Sequence, residues 1–281
     1  MTSRIAVLIV ASLIVVLGAV TDADARTPPP PSPARIRVLV VGESEAGTLA
    51  TGSPKGQGLH GLFAQPSLVL WDSTLLACSI STVPVFILAN GAPAVNQCGG
   101  NGRWQQQWTR DVLATKPDVV FVMAGARDLF DVAAPGGVVL HPGDPAWNTR
   151  YTADVRELFR ILRLTGAPVV AVKPTCYGED TLPGGEPQAS ERLDPARVHA
   201  VTRAWVAAAR ASGLRLLDLD AITCPGGVAD SAIRADGVHF TPAGADQLAP
   251  IITAALRRAV TAAARQRGTE PRPRSGRVRR D

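Results

Sequence analysis

The stretch "IRVLVVG", Ile36 to Gly42, decides the fold. It is an apolar, largely β-branched run ended by a glycine, too short for a buried helix and too uniformly apolar for a strand with one wet face. Working outward, "PSLVLWD" (66–72), "PDVVFVMAG" (117–125), "APVVAVKP" (167–174) and "LRLLDLD" (214–220) repeat the pattern. Helical periodicity fills the intervals at 103–115, 149–164 and 191–212, and a last helical pattern covers 242–264. Strands buried on both faces and separated by helices imply a mainly parallel sheet with helices on each side. The expected fold class is α/β, a three-layer α/β/α sandwich. In such sheets the ligand site lies beyond the carboxyl ends of the strands. That directs attention to Gly42-Glu43-Ser44, to Gly125-Ala126-Arg127, and to the loop after the last strand, which carries Asp236 and His239.

The two ends of the chain read differently. Residues 1–25 combine a short basic start, an apolar run from Ile5 to Val20 and the small residues Ala23-Asp24-Ala25, the pattern of an export signal, with a retained anchor as the alternative. "TPPPPSP" makes 26–34 a stiff extended linker. The expected domain is 35–264, followed by a solvated basic tail, 265–281. Of the +5 formal charge, the tail accounts for all: it has seven Arg against Glu270 and Asp281. The domain is therefore electrically balanced, and without a basic face or aromatic residues in the tail, nucleic acid is excluded as a partner. A solvated, disordered end is the expectation for the tail, with contact to an anionic envelope surface as its functional alternative. The four cysteines, Cys78, Cys98, Cys176 and Cys224, lack metal-ligand spacing, so no metal is expected and two disulfides are. Cys78 with Cys98 and Cys176 with Cys224 is the favoured pairing of three.

Ser44 stands where a strand turns into a helix, a place that exposes a hydroxyl and aims backbone N–H groups at it. A serine there is either a nucleophile or the N-cap of the helix that follows. A nucleophile needs a base and a group to orient that base, and His239 and Asp236 can supply both. Their own alternative is a turn Asp followed by a surface His. His60, His141 and His199 read as surface or loop residues, and Trp104 and Trp108, four apart, as core. Trp147, Tyr151 and Tyr177 read as packing, with the lining of a cleft as the other possibility.

Taken together, "RVLVVGESEAGTLA", "PDVVFVMAGARDLFD" and "RADGVHFTPAGADQLA" resemble blocks I, III and V of the SGNH (GDSL-like) hydrolases, and within them the exported domains associated with envelope acyltransferases. The resemblance implies a flavodoxin-like fold, Ser44 as nucleophile, His239 as base and Asp236 as the acid that holds its tautomer. It implies an oxyanion hole from Ser44 and a glycine of "NQCGG", Gly99 with Gly100 as the alternative, and places Arg127 at its third position, where a salt bridge to Asp128 or Asp131 is the other reading. The chain departs from the family pattern at Glu43, where block I has Asp, and at Arg127, where block III has the Asn that donates to the oxyanion; one such donor is worth about 3 kcal/mol. The expected function is an exported, monomeric serine esterase or O-acyltransferase acting on acyl esters of small molecules or envelope glycans, without a cofactor. The competing expectation is a catalytically degenerate domain that binds acylated glycan or a partner protein.

Overall fold

The computed structural model describes residues 35–52, 60–178 and 190–269. The expected export signal and linker, and the tail beyond 269, lie outside them. The chain order is β1 (Ile36–Gly42), α1 (Ser44–Thr51), β2 (Leu68–Thr74), β3 (Val85–Ile87), β4 (Pro93–Val95), α2 (Arg103–Thr115), β5 (Val119–Met123), β6 (Asp131–Ala133) and β7 (Val139–Leu140). It continues with α3 (Pro145–Leu162), β8 (Val169–Val172), α4 (Pro195–Ala211), β9 (Leu216–Leu217), α5 (Asp220–Thr223) and α6 (Pro242–Thr269). Short 3₁₀ turns occupy Gly61–Ala64, Ser190–Leu193 and Pro225–Gly227.

Five strands form one parallel sheet in the order β2-β1-β5-β8-β9. The α/β expectation holds, with helices on both faces. The reason is visible along β1, whose side chains alternate between two cores. Val38 and Val40 face a cluster with Leu49 and Ala46 of α1 and Leu248, Ile252 and Leu256 of α6. Leu39 and Val41 face the other, with Trp104 and Trp108 of α2, Leu158 and Phe159 of α3, and Trp205 of α4. β5 divides in the same way: Val119, Phe121 and Met123 on one side, Val120 and Val122 on the other.

The chain leaves β1 for β2 on one side and then crosses to β5 on the other, so the strand order reverses beside β1. A crevice opens at such a reversal, at the carboxyl ends of the strands. Ser44 is the first helical residue there.

Three differences from the sequence reading have physical causes. The last strand pairs only at Leu216 and Leu217, because Asp218 and Asp220 both turn to the Lys173 ammonium, each at 2.6 Å. Helix α6 runs past Ala264 to Thr269, its added residues beginning with the good helix formers Arg265, Gln266 and Arg267. A second, antiparallel sheet, β4-β3-β6-β7, has strands of two or three residues, too short to show a period. Both favoured disulfides are formed, Cys78–Cys98 and Cys176–Cys224, and each pins a loop at the carboxyl end of the main sheet. No helix among the described residues is long and apolar enough to cross a membrane.

Candidate active site

Ser44 does not cap its helix. Glu43 is the N-cap, its carbonyl accepting the N–H groups of Ala46 and Gly47 at 3.0 and 3.2 Å. The Ser44 hydroxyl instead meets His239 Nε2 at 2.8 Å, across 195 residues of chain. His239 Nδ1 lies 2.6 Å from Asp236 Oδ2. The other carboxylate oxygen, Oδ1, accepts the backbone N–H groups of His239 and Val238 at 2.7 and 2.9 Å, which folds the loop back on itself. Burial opposes the charge on Asp236, but the His239 ring and these two N–H groups outweigh it and hold the carboxyl down at about 2. An ionised Asp236 can only accept, so Nδ1 carries the proton and Nε2 presents its lone pair to the Ser44 hydroxyl.

The sites of the other expected residues are mixed. Glu43, which replaces the family's Asp, is 1% exposed and turns inward: Oε1 accepts the N–H of Gly125 at 2.8 Å and of Arg127 at 3.3 Å. It thereby ties the end of β1 to the end of β5. The N–H of Arg127 is thus engaged by Glu43, and its guanidinium exerts an attraction on the same carboxyl. Asp131 pairs with Arg197 and His141, and Asp128 accepts from Ser79 and Ser81. Gly99 is not placed as expected. Its N–H goes to the Asn96 carbonyl at 3.2 Å, inside its own turn, and a Cβ there would sit 2.0 Å from the Val83 carbonyl oxygen. The glycine at that position serves loop packing. The Ser44 N–H takes no hydrogen bond among the described residues, as befits the first turn of a helix.

Trp104 and Trp108 are core, their rings 5.4 Å apart, as the spacing predicts. Trp147 and Tyr151 are also core, 2% and 1% exposed, with the Tyr151 hydroxyl accepting from Trp205 Nε1. Tyr177 is buried and donates to Glu45 Oε1 at 3.3 Å, so it supports the site. His60 and His141 lie on the surface with Asp246 and Asp131, and His199 lines a cavity of about 530 Å³ at the end of β8. The burial of three acids, Glu43, Glu45 and Asp128, has no signal in the sequence, since nothing local distinguishes a carboxylate that tertiary packing will bury.

Two of them make stability depend on pH. Burial, then the neighbouring Glu45, pushes Glu43 from the ordinary 4.5 up to about 7; burial, then Glu43, pushes Asp128 from 3.8 up to about 7. Folded-state values raised in this way mean that the folded chain keeps protons the unfolded chain has released. The stabilisation is full below about pH 4 and is lost as pH rises to 7. Asp236, with its lowered value, is ionised in both folded and unfolded chains above that range and does not offset the trend. Each group contributes about 2–3 kcal/mol over this interval, so we expect a urea-unfolding free energy about 5 kcal/mol greater at pH 5 than at pH 8. D128N, whose amide can still accept from Ser79, should remove part of that slope; a slope unchanged in D128N would refute the assignment.

A Ser-His-Asp chain of hydrogen bonds at the switch point of a parallel α/β sheet is the arrangement of serine hydrolases and acyltransferases. The protein belongs to the GDSL-like lipase/acylhydrolase family, whose model matches residues 71–247, a span that includes Asp236 and His239. Among solved structures the chain is similar to a Bacteroides fragilis protein designated a candidate acylhydrolase, with 14% identity and a TM-score of 0.54 over 83% of this chain and 91% of that one. It is also similar to a GDSL-like lipase of Bacteroides thetaiotaomicron, at 14% identity and a TM-score of 0.53 over 79% and 88%. At such identities the likeness is one of fold. No curated protein sequence matches the chain.

Proposed function

We propose that the protein is a serine esterase or O-acyltransferase that works through an acyl-serine at Ser44. The observation that carries this reading is the unbroken chain Ser44 Oγ, His239 Nε2 and Nδ1, Asp236 Oδ2, with links of 2.8 and 2.6 Å. His239 takes the hydroxyl proton as Ser44 Oγ bonds to the acyl carbon. The negative charge on the carbonyl oxygen is met by the Ser44 N–H and by the positive end of α1, with Arg127 as a further donor from the β5 loop. The resulting imidazolium, held by Asp236, gives its proton to the departing alkoxide as the ester bond breaks. Water, or a second hydroxyl in a transferase, then repeats the sequence on the acyl-serine and restores the enzyme.

The substrates are acyl esters, and we assign them to envelope carbohydrate because the motifs around Ser44 and His239 resemble those of exported domains associated with envelope acyltransferases. Two disulfides and the apolar start of the chain support work outside the cytoplasm. The domain acts as a monomer, and the basic tail meets an anionic surface. The engagement of the Gly99 N–H within its own turn favours a second reading, a domain that binds an acylated ligand without turning it over. A fluorophosphonate separates the two: stoichiometric mass gain at Ser44, abolished in His239→Ala, is expected of the enzyme. Intact mass without an adduct after prolonged exposure would establish the binder.

A further inference from the structure

Beneath the triad lies a buried pair of charges that these steps do not use. Glu45 follows the nucleophile, and Arg234 lies two residues before Asp236. Glu45 is 0% and Arg234 1% exposed, and Arg234 Nη1 lies 3.3 Å from Glu45 Oε2. The same Nη1 donates to the Val238 carbonyl at 3.0 Å. The guanidinium lies over the rings of Phe240 and Tyr177, 4.3 and 5.3 Å from their centroids. Its Nε and Nη2 have no hydrogen-bond acceptor among the described residues, so the ring faces stand where acceptors would be. Phe240 in turn donates its N–H to Thr48 Oγ1 of α1 at 3.1 Å.

Both neighbours of His239 in the chain are therefore held: Val238 by the guanidinium, Phe240 by the guanidinium and by α1. The pair joins the helix that carries the nucleophile to the loop that carries the base. An ion pair sealed from water is a poor way to gain stability, since desolvation of both charges consumes most of the attraction. It is a good way to hold a direction, because Nη1 must meet Glu45 and the Val238 carbonyl while the guanidinium plane lies over two rings.

We propose that Glu45 and Arg234 are positioning residues for acyl transfer. Their pairing sets His239 against Ser44, and its near-zero net charge leaves the proton affinity of the imidazole to Asp236. This inference rests on the hydrolase reading above. The charged and titratable groups around the pair are few. Glu45 faces Arg234, Tyr177, His239 and, back along α1, Glu43; His239 faces Asp236, Ser44 and Glu45.

The test is hydrolysis of p-nitrophenyl acetate across pH by the wild type, S44A, E45Q, R234K and the double variant E45Q/R234M. E45Q leaves a cation uncompensated beside the imidazole, which disfavours the imidazolium. The acid limb of kcat/KM should move to lower pH by on the order of one unit. Removing both charges in E45Q/R234M should return the limb to its wild-type position. R234K keeps the charge but loses the planar cation that lies over Phe240 and Tyr177, so kcat should fall about tenfold with KM and the limb unmoved. A wild-type limb in E45Q overturns the electrostatic role, and a wild-type kcat in R234K overturns the placement role. Should E45Q fail to fold, R234K still decides the latter. If S44A keeps the full rate, it is the hydrolase reading that falls.

Discussion

Ser44→Ala should bring hydrolysis of aryl acetates to the buffer background, a loss of at least about 10⁴-fold in kcat, with binding of substrate little changed. The size follows from the nucleophile's part proposed for the side chain. Without the oxygen there is no acyl-serine, and His239 Nε2, now 2.8 Å from nothing reactive, can only steer water towards the ester from a position set for another atom. The Ser44 N–H and the end of α1 persist in the variant, so some electrostatic help survives. His239→Ala should cost nearly as much, and the double variant no more than either single one, because the two residues act as a unit. Additive losses would mean that they work separately. A rate in S44A equal to that of the wild type would refute the nucleophile outright, whatever the geometry.

The largest effect on folding is expected at Gly42. Its φ of +136° is one that residues with side chains avoid, and a Cβ built there lies 1.9 Å from the Met123 carbonyl oxygen and 2.9 Å from Ala46 Cβ. Neither can step aside. Gly42 is in register with Met123 on one side and Thr74 on the other, so the oxygen belongs to the ladder of the central strands. Ala46 is fully buried in α1. Gly42→Ala should therefore cost at least about 4 kcal/mol, or prevent folding. Gly136 offers a control. Its φ is +86° but nothing lies within 4 Å of its Cβ position, so Gly136→Ala pays only for the backbone, about 1 kcal/mol. Urea midpoints of the two variants check the contrast, and a midpoint for Gly42→Ala near that of the wild type would show that the two strand ends can separate without loss.

Much of the architecture was legible in particular residues. "IRVLVVG" and "PDVVFVMAG" are apolar on both faces, and both faces prove to be covered. The helix near 103–115 was readable because Trp104, Trp108 and Val112 recur every four positions. The antiparallel sheet was not, because strands as short as Val139–Leu140 owe their existence to partners rather than to pattern. At the site, Asp236 and His239 declared themselves by spacing, since three residues suffice for one loop to join a carboxylate to a ring. Gly99 misled because a glycine marks a tight place without saying whose N–H is free. Glu45 and Arg234 were silent. A charge in sequence is ordinarily a wet charge, and only packing takes it out of water.

What the amino-acid order determined alone is local: which runs are strands and helices, where glycine must end a strand, and which Asp can serve which His. These follow from interactions within a few residues, which every copy of the same short stretch would share. The meeting of Ser44 with His239, the inward turn of Glu43 and the sealing of Glu45 against Arg234 were decided by tertiary structure. They span 82 to 195 positions and depend on strand order, which no local pattern contains.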